Sequence, residues 1–363
     1  MDATSDQNPR AAFPILESLK RYIWPIPKRS FNSACFGNLK YLCLEKCQHL
    51  KNVFSLSIAR GLVQLQKLEI DECDDMEGCF HKEGEDEKAL NDNIMFPQLT
   101  SIELDSPPRL IGFCTSVGPT FNNILAPFQN QLSHKLFLSN TILWPPNLKY
   151  LELRKADSQE VVFDLKGLNI NDNHQRIIVL AQLKTLEVKD LYKLTYVWKN
   201  VPIGIQGFQK LTSIEVSKCH RLKDIYSQLL LQNCLWNFKA LRRRGNGIIL
   251  FPRVGSLKLQ ELPNMMSLCI KTYSFEWSSI KEIYLHRSPK LKQLVQKFRA
   301  KKDPKVSNSD KSSEIWSFFP SHIIECLKNL ESIELINVPS LEVLFQLEEL
   351  NVEENQWHQY LIS

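Results

Sequence analysis

Aliphatic residues recur along the chain in a frame of three apolar positions, and a single variable residue separates the second position from the third. The first clear copy is Leu39-x-x-Leu42-x-Leu44. Eight further copies follow, and their second apolar positions are Leu68, Ile102, Leu151, Leu186, Ile214, Leu257, Ile283 and Ile333. Because residues two apart point to the same side of an extended strand, each copy predicts a short strand with one buried face.

The nine copies predict nine strands, and successive second positions lie 26 to 50 residues apart. An ordered series of such units is typical of leucine-rich repeats, in which each unit forms one coil of a solenoid. A single coil cannot bury its apolar side, so the coils must stack and their strands must join into one parallel sheet. The strands are expected near 40–45, 66–71, 100–105, 149–154, 184–189, 212–217, 255–260, 281–286 and 331–336.

The predicted fold class is therefore α/β: a leucine-rich-repeat solenoid, shaped as a curved horseshoe, with a short-stranded parallel sheet on its concave face. The convex face is expected to hold mostly irregular loops and few short helices. Only residues 55–65 favour a helix, because Ile58, Leu62 and Leu65 share one helical face.

The core is predicted from the inward positions of the frame and from a small residue that follows the strand. Cysteine fills this later position in three coils, where it behaves as a small buried hydrophobe. The predicted core residues are Leu42, Leu44, Cys47, Leu68, Ile70, Cys73, Leu151, Leu153, Leu186 and Cys219. A zinc site at Cys43, Cys47 and His49 is disfavoured, because Cys43 would face outward while Cys47 turns inward. No metal site is predicted.

The domain organisation is predicted to be a degenerate first coil over 1–35, with Arg21 in place of an inward aliphatic residue, followed by the repeat array over 36–363. The sequence at 342–351 is similar to that at 160–169, but only the segment at 160–169 is followed by another coil. The chain is therefore expected to be either a fragment or a truncated product of a longer array. Long insertions are expected at about 81–95, 114–143, 227–250 and 297–326.

The composition points away from an enzyme and from a secreted or membrane protein. There is no G-x-S-x-G, no H-E-x-x-H, and only 12 glycines for phosphate-binding loops, so no catalytic residue is predicted. The polar start, MDATSDQNPR, and the absence of a long apolar run predict an intracellular, cytoplasmic protein with no transmembrane segment. The net charge is +5, and its basic residues concentrate at 242–244 and 297–305. We expect these residues to keep the protein soluble and not to bind nucleic acid.

The variable position between the two inward residues faces outward, and it is glutamate in six of nine copies. Strands about 4.8 Å apart would stack these side chains, which is mildly unfavourable for like charges. Two interpretations stay open: a solvated face screened by nearby lysines (Lys40, Lys67, Lys149, Lys184, Lys281), or an acidic stripe that docks a basic surface. Apart from Cys43, the positions are the candidate partner-binding residues: Glu69, Glu103, Glu152, Glu187, Glu215, Lys258, Tyr284 and Glu334.

The run FGNLKYLCLEKCQHLKNVFSLSIARGLVQLQKLEIDECDDMEGCF, at residues 36–80, resembles the repeats of plant intracellular disease resistance proteins. These are immune receptors with coiled-coil, nucleotide-binding and leucine-rich-repeat domains. A similar five-residue sequence, typical of that family, ends four of the repeats, at Leu50–Phe54, Leu194–Trp198, Leu222–Tyr226 and Leu341–Phe345. The resemblance implies a non-catalytic module that senses a pathogen effector or a guarded host protein and keeps the receptor's nucleotide-binding domain inactive.

One departure from the family concerns the cofactor. The family binds ADP or ATP in a switch domain, but this chain has neither G-x-x-x-x-G-K-[ST] nor a Met-His-Asp motif. No cofactor is therefore expected in this chain. The alternative is a repeat protein unrelated to immunity, such as a scaffold or a ubiquitin-ligase substrate adaptor. Residues 1–35 are too short and Pro-rich for the F-box helices that such an adaptor needs.

Overall fold

The computed structural model describes residues 15–22, 36–82, 96–116, 134–138, 141–142, 145–166, 178–201, 206–228, 251, 253–269, 277–295, 317–319, 324, 327–341 and 343–345. Ten strands of five residues form one parallel sheet, called the main sheet, in which spatial order follows chain order. They are Ser18–Tyr22, Tyr41–Glu45, Lys67–Asp71, Ser101–Asp105, Tyr150–Arg154, Thr185–Lys189, Ser213–Ser217, Ser256–Gln260, Glu282–His286 and Ser332–Ile336. This stacked parallel array confirms the predicted fold class.

The inward positions of the main sheet form buried columns that run from coil to coil. Neighbouring strands pair in register, so Leu42 lies beside Leu68 and Leu151 lies beside Leu186. All four of these side chains are fully buried, with 0% exposure. The remaining predicted core residues are buried as well: Leu44, Cys47, Ile70, Cys73, Leu153 and Cys219.

Nine strands of the main sheet are followed at once by a residue in the left-handed backbone region, with φ between 48° and 59°. Eight of these residues donate their amide to the carbonyl at the end of the next strand, as Lys46 does to Asp71 over 2.9 Å and Lys155 does to Lys189 over 3.0 Å. The turn that follows each of these strands therefore also bonds one coil to the next. The residues are Lys46, Glu72, Ser106, Lys155, Asp190, Lys218, Glu261, Arg287 and Asn337.

The three repeat-position cysteines share a second contact at the same turn. Each thiol donates to the carbonyl oxygen two residues earlier, over 3.3 Å for Cys73 and Cys219 and 3.5 Å for Cys47. Burial raises the pKa of Cys73 and of Cys219 to about 12, so both remain neutral thiols at physiological pH. Their packing and hydrogen bonds account for cysteine at this position.

The segments that connect one strand of the main sheet to the next form the return side of the solenoid. They carry short parallel strands, which differs from the irregular loops predicted for the convex face. A three-stranded sheet and a four-stranded sheet lie there, together with three strand pairs. The strands are Asn52–Ser55, Gly78–Lys82, Gly112–Ser116, Lys135–Leu138, Val161–Asp164, Ile178–Val179, Tyr196–Val201, Gln206–Gly207, Tyr226–Gln228, Ser267–Cys269, Gln293–Val295, Ser317–Phe319 and Val343–Phe345. A short 3₁₀-helix spans Trp277–Ser279.

The predicted helix over 55–65 is wrong in extent, because the α-helix spans only Leu56–Ala59. Beyond it, the amides of Gly61 and Leu62 donate to carbonyls only three residues earlier, over 2.8 and 3.1 Å. The chain therefore turns tightly here instead of continuing as an α-helix. Ile58, Leu62 and Leu65 are buried nonetheless. The apolar pattern therefore indicated which residues enter the core, but not that the segment is helical.

Buried aromatic rings from the return strands stack along the solenoid. Phe80 contacts Phe113 with ring centroids 5.4 Å apart, and Phe113 contacts Phe137 at 4.9 Å. Phe163 then lies 5.7 Å from Phe137 and 5.7 Å from Trp198. This ladder joins the three-stranded sheet to the four-stranded sheet, so the return side is held by packing as well as by backbone hydrogen bonds.

The predicted insertion at 114–143 contains the strand Lys135–Leu138, which pairs with Val161–Asp164. Much of that insertion, and most of those at 81–95, 227–250 and 297–326, lies outside the described residues. The basic segments at 242–244 and 297–305 and the echo at 346–351 lie outside them too.

Substitution of Lys155 tests the left-handed turn. A β-branched side chain is strained at its φ of 48°, so Lys155→Val should lower the free energy of unfolding by roughly 1–2 kcal/mol. Lys155→Gly loses the same weak ion pair with Asp105 but relieves the strain, so it should be the more stable variant. Urea unfolding measures the difference.

Lys184→Val is the matched control, because Lys184 is also exposed but has an ordinary φ. It should change the free energy of unfolding by less than about 0.5 kcal/mol. Equal losses from both valine substitutions would argue against strain at the turn.

Candidate protein-interaction surface

The nine outward positions predicted from the repeat frame lie in one row across the main sheet. Strand register places each of them directly beside its neighbour on the next strand. The five consecutive glutamate side chains are 20–31% exposed, so their carboxylates reach the surface. In order, the row is Cys43, Glu69, Glu103, Glu152, Glu187, Glu215, Lys258, Tyr284 and Glu334.

Two lysines on the same surface bridge neighbouring glutamates. Lys67 Nζ lies 2.9 Å from Glu103 and 3.5 Å from Glu69. Lys189 Nζ lies 2.6 Å from Glu187 and 3.1 Å from Glu215. Burial lowers the pKa of each lysine, but the contacts with the two carboxylates outweigh it and raise the pKa overall. Part of the repulsion along the row is therefore offset.

The interpretation that Lys40 and Lys281 screen the glutamate row is wrong. Lys40 Nζ contacts Glu17 at 2.7 Å, and Lys281 Nζ contacts Glu331 at 2.7 Å. These lysines precede the strand by one residue, so their side chains extend along its entrance and not over the outward row. A third cation that contacts the row is Arg154, at the end of its strand, which lies 3.4 Å from Glu152.

A second, shorter acidic row lies parallel to the first, at the last residue of three consecutive strands. Glu45, Asp71 and Asp105 pair in register there. Sequence reasoning missed this row, although the last strand residue shares the outward side with the middle one. The outward positions of the six strands from Tyr41–Glu45 to Ser213–Ser217, called the acidic face, hold eight carboxylates and three cations. These are Glu45, Glu69, Asp71, Glu103, Asp105, Glu152, Glu187 and Glu215, with Lys67, Arg154 and Lys189.

Asp71 lies in the densest part of the acidic face. Burial raises the pKa of its carboxyl group, and repulsion from Asp105, Glu72 and Glu45 raises it further. Within the described part of the chain, no lysine or arginine forms an ion pair with Asp71. Ionised Asp71 is therefore less stable in the folded chain than in water, and a cationic partner would relieve that repulsion.

Two tyrosines orient the glutamates of the row. The hydroxyl of Tyr41 donates to Glu69, and that of Tyr150 donates to Glu152 over 2.9 Å. The hydrogen bond to Glu69 is the main cause of a raised pKa for Tyr41, and burial is the main cause for Tyr150. Both tyrosines remain neutral donors and restrict where the carboxylates point, a role that sequence reasoning did not foresee.

The last strands of the main sheet interrupt the acidic character. Lys258 and Tyr284 follow Glu215 in the row before Glu334. The hydroxyl of Tyr284 lies 3.5 Å from Nδ1 of His286 on the same strand. The candidate surface therefore divides into an acidic N-terminal part and a weakly charged C-terminal part.

The geometry of the cysteines separates the atoms that a zinc site would need. Cys43 is half-buried on the outward row, whereas Cys47 follows the strand and is buried in the core. Over the described ranges, no three histidine, cysteine, aspartate or glutamate side chains are placed to hold a metal ion. None of the helices within those ranges has the length and apolar character to span a membrane.

Stacked coils with a continuous parallel sheet define this chain as a leucine-rich-repeat protein, a class that generally serves as protein-interaction modules. The family model for plant disease resistance protein RPS2-like leucine-rich repeats matches residues 15–114 and 127–247, more than half of the chain. The chain therefore belongs to this family, which confirms the resemblance seen in the sequence. No curated protein and no solved structure matches it.

Asp71→Asn tests the repulsion within the acidic face. The pKa of Asp71 is higher in the folded chain than in the unfolded chain. Below the unfolded pKa of about 3.9 the carboxyl group is protonated in both states, so it costs no stability. As pH rises through the folded pKa the carboxyl group ionises, and the repulsion then lowers the free energy of unfolding. The substitution should therefore raise the free energy of unfolding at pH 7 by up to about 1 kcal/mol, and the gain should vanish in acid. Urea unfolding across pH measures both.

The control is Asp75→Asn on the same coil. Asp75 contacts Arg109 at 2.7 Å, so its removal should bring no gain at pH 7. A loss of stability at pH 7 in the Asp71 variant would contradict the proposed repulsion.

Proposed function

We propose that this chain is the non-catalytic recognition and autoinhibitory module of a plant innate immune receptor, and that it senses a pathogen effector or a guarded host protein. Membership of the RPS2-like repeat family supports this role. The observation that carries the proposal is the acidic face, where eight carboxylates share an open sheet surface with three cations. Such a surface suits a protein partner with a basic patch, by charge complementarity.

The dimensions of the acidic face suit a macromolecular partner. The five glutamates from Glu69 to Glu215 lie on five adjacent strands, which span roughly 19 Å at the usual strand spacing. Their carboxylates are held by Tyr41, Tyr150, Lys67 and Lys189, so little ordering is required on binding. The net negative charge would also accelerate the approach of a basic partner.

In the resting receptor, the proposed partner is the nucleotide-binding domain of the parent protein. Holding that domain on the repeat solenoid would keep it inactive until the sensed protein competes for, or alters, the same contact. The proposal places the whole process in the cytoplasm, and it assigns ADP or ATP to the other domain. The repeats supply shape and charge, with no reaction of their own.

Charge reversal tests the acidic face. Glu152→Lys, Glu187→Lys and Glu215→Lys together should weaken binding to a nucleotide-binding domain from an RPS2-like resistance protein by at least about tenfold, because three attractive contacts become repulsive. Co-precipitation after expression of both chains in leaf tissue measures the contact. Suppression of the cell death that the nucleotide-binding domain triggers measures the autoinhibition.

The control changes the same net charge elsewhere. Glu17→Lys, Glu77→Lys and Glu331→Lys alter carboxylates outside the acidic face that contact Lys40, Lys51 and Lys281. This variant should bind as the native chain does. Unchanged binding by the Glu152, Glu187 and Glu215 variant would rule out the acidic face as the docking surface.

The assignment of nucleotide to another domain is tested on the isolated chain. We expect it to bind no ADP and to hydrolyse no ATP, because the phosphate-binding motif of the family is absent from its sequence. Isothermal titration with ADP and a phosphate-release assay measure both properties. Saturable ADP binding would contradict a role limited to protein recognition.

A further inference from the structure

The turns that follow the last four strands of the main sheet have an unusual charge. The described residues of these turns, called the basic edge, include six lysine or arginine residues and one carboxylate, Glu261. The five preceding turns hold five cations and seven carboxylates. The basic edge comprises 218–223, 261–266, 287–292 and 337–341, and the preceding turns are 46–51, 72–77, 106–111, 155–160 and 190–195.

The turns of the basic edge stack directly on one another. The amide of Met266 donates to the carbonyl of Lys223 over 3.0 Å, and the amide of Lys292 donates to the carbonyl of Met266 over 3.2 Å. The side-chain amide of Asn264 also donates to the carbonyl of His220 over 2.7 Å. Equivalent turn positions are therefore neighbours, which places His220, Pro263, Pro289 and Pro339 in one row.

This row forms the apolar floor of an open groove of about 700 Å³. Arg287 and Glu261 also line the groove, and their side chains approach to 4.0 Å. Tyr192 extends the floor at one end, because its ring stacks on His220 with centroids 5.0 Å apart. A volume of this size accommodates a ligand as large as a short peptide.

We propose that this groove binds an extended, acidic, proline-containing peptide segment of another protein. Charge complementarity argues for the acidic residues. Exposed Arg287 lines the groove, and exposed Arg221 and Lys290 lie on the turns that form it, whereas Glu261 is the one carboxylate among the lining residues that the structure describes. Flat prolyl and aromatic surfaces favour prolyl rings in the partner, as in other grooves that bind polyproline II helices.

The spacing of the coils supports the same conformation. A polyproline II helix repeats every three residues, about 9.3 Å, and two coil spacings amount to about 9.6 Å. Every third residue of the peptide, when it is proline, would therefore contact an equivalent turn position on every second coil. A polyproline II segment also has free backbone carbonyls, and Arg287 is placed to donate hydrogen bonds to them.

This binding surface is separate from the acidic face. The groove lies along the turns that follow the strands, whereas the acidic face lies on the outward side of the strands themselves. The opposite charge of the two surfaces selects opposite partners. Peptide binding at the basic edge consequently stands or falls independently of the receptor role proposed above.

Fluorescence anisotropy with a fluorescein-labelled peptide of four Pro-Glu-Glu repeats tests the groove on the purified full chain. Saturable binding is expected in about 50 mM salt, with weakening as salt is raised. Arg287→Glu should lower the affinity at least about tenfold, and Lys290→Glu should lower it several-fold. A peptide of four Pro-Gln-Gln repeats should bind more weakly than the acidic peptide, because it lacks the charge.

Lys46→Glu provides the matched control. Lys46 is exposed and occupies the same position after its strand as Arg287, with φ of 56° against 50°, but it lies at the other end of the solenoid. It should change the affinity less than about twofold, and circular dichroism should show that all variants are folded at the temperature of the binding assay. No saturable binding by the native chain, or equal losses in the Arg287 and Lys46 variants, would overturn the proposal.

Discussion

Every coil of this protein buries its apolar residues against the coils on either side, and this shared burial governs the rest of the structure. Leu42 and Leu151 are fully buried because strands from adjacent coils flank them in register. Register has a second consequence on the outward side. Any residue type that recurs at one repeat position becomes a continuous row on the surface, so a local sequence preference becomes a binding surface several coils long.

The link between coils depends on a backbone conformation as well as on burial. A left-handed residue after the strand directs its amide to the next coil. The cysteine or serine that follows it donates a hydrogen bond to the carbonyl at the end of its own strand, as Cys73 and Ser288 do. Non-glycine residues adopt this conformation at some expense. The cross-coil hydrogen bond compensates for it and aligns the strand ends, which is why Asp71 and Asp105 meet.

Charge is distributed unevenly over this regular scaffold. The acidic face concentrates carboxylates on the first coils, with Asp71 left under repulsion, while the basic edge concentrates cations on the turns of the last coils. Neither arrangement is required by packing, because both sets of side chains lie outside the core. Two oppositely charged surfaces on one solenoid suit partners of opposite charge, in keeping with a protein-interaction role.

The sequence by itself determined the main sheet, its core and the middle glutamate row, because the two-residue period of a strand decides which side chains face inward. It did not determine the return strands, the end of the helix at Ala59, or the pairing of Lys40 with Glu17. Hydrogen bonds between return strands and ion pairs across coils join residues far apart in the chain. Only the stacking of coils brought those residues together, and with them the row of prolines at the basic edge.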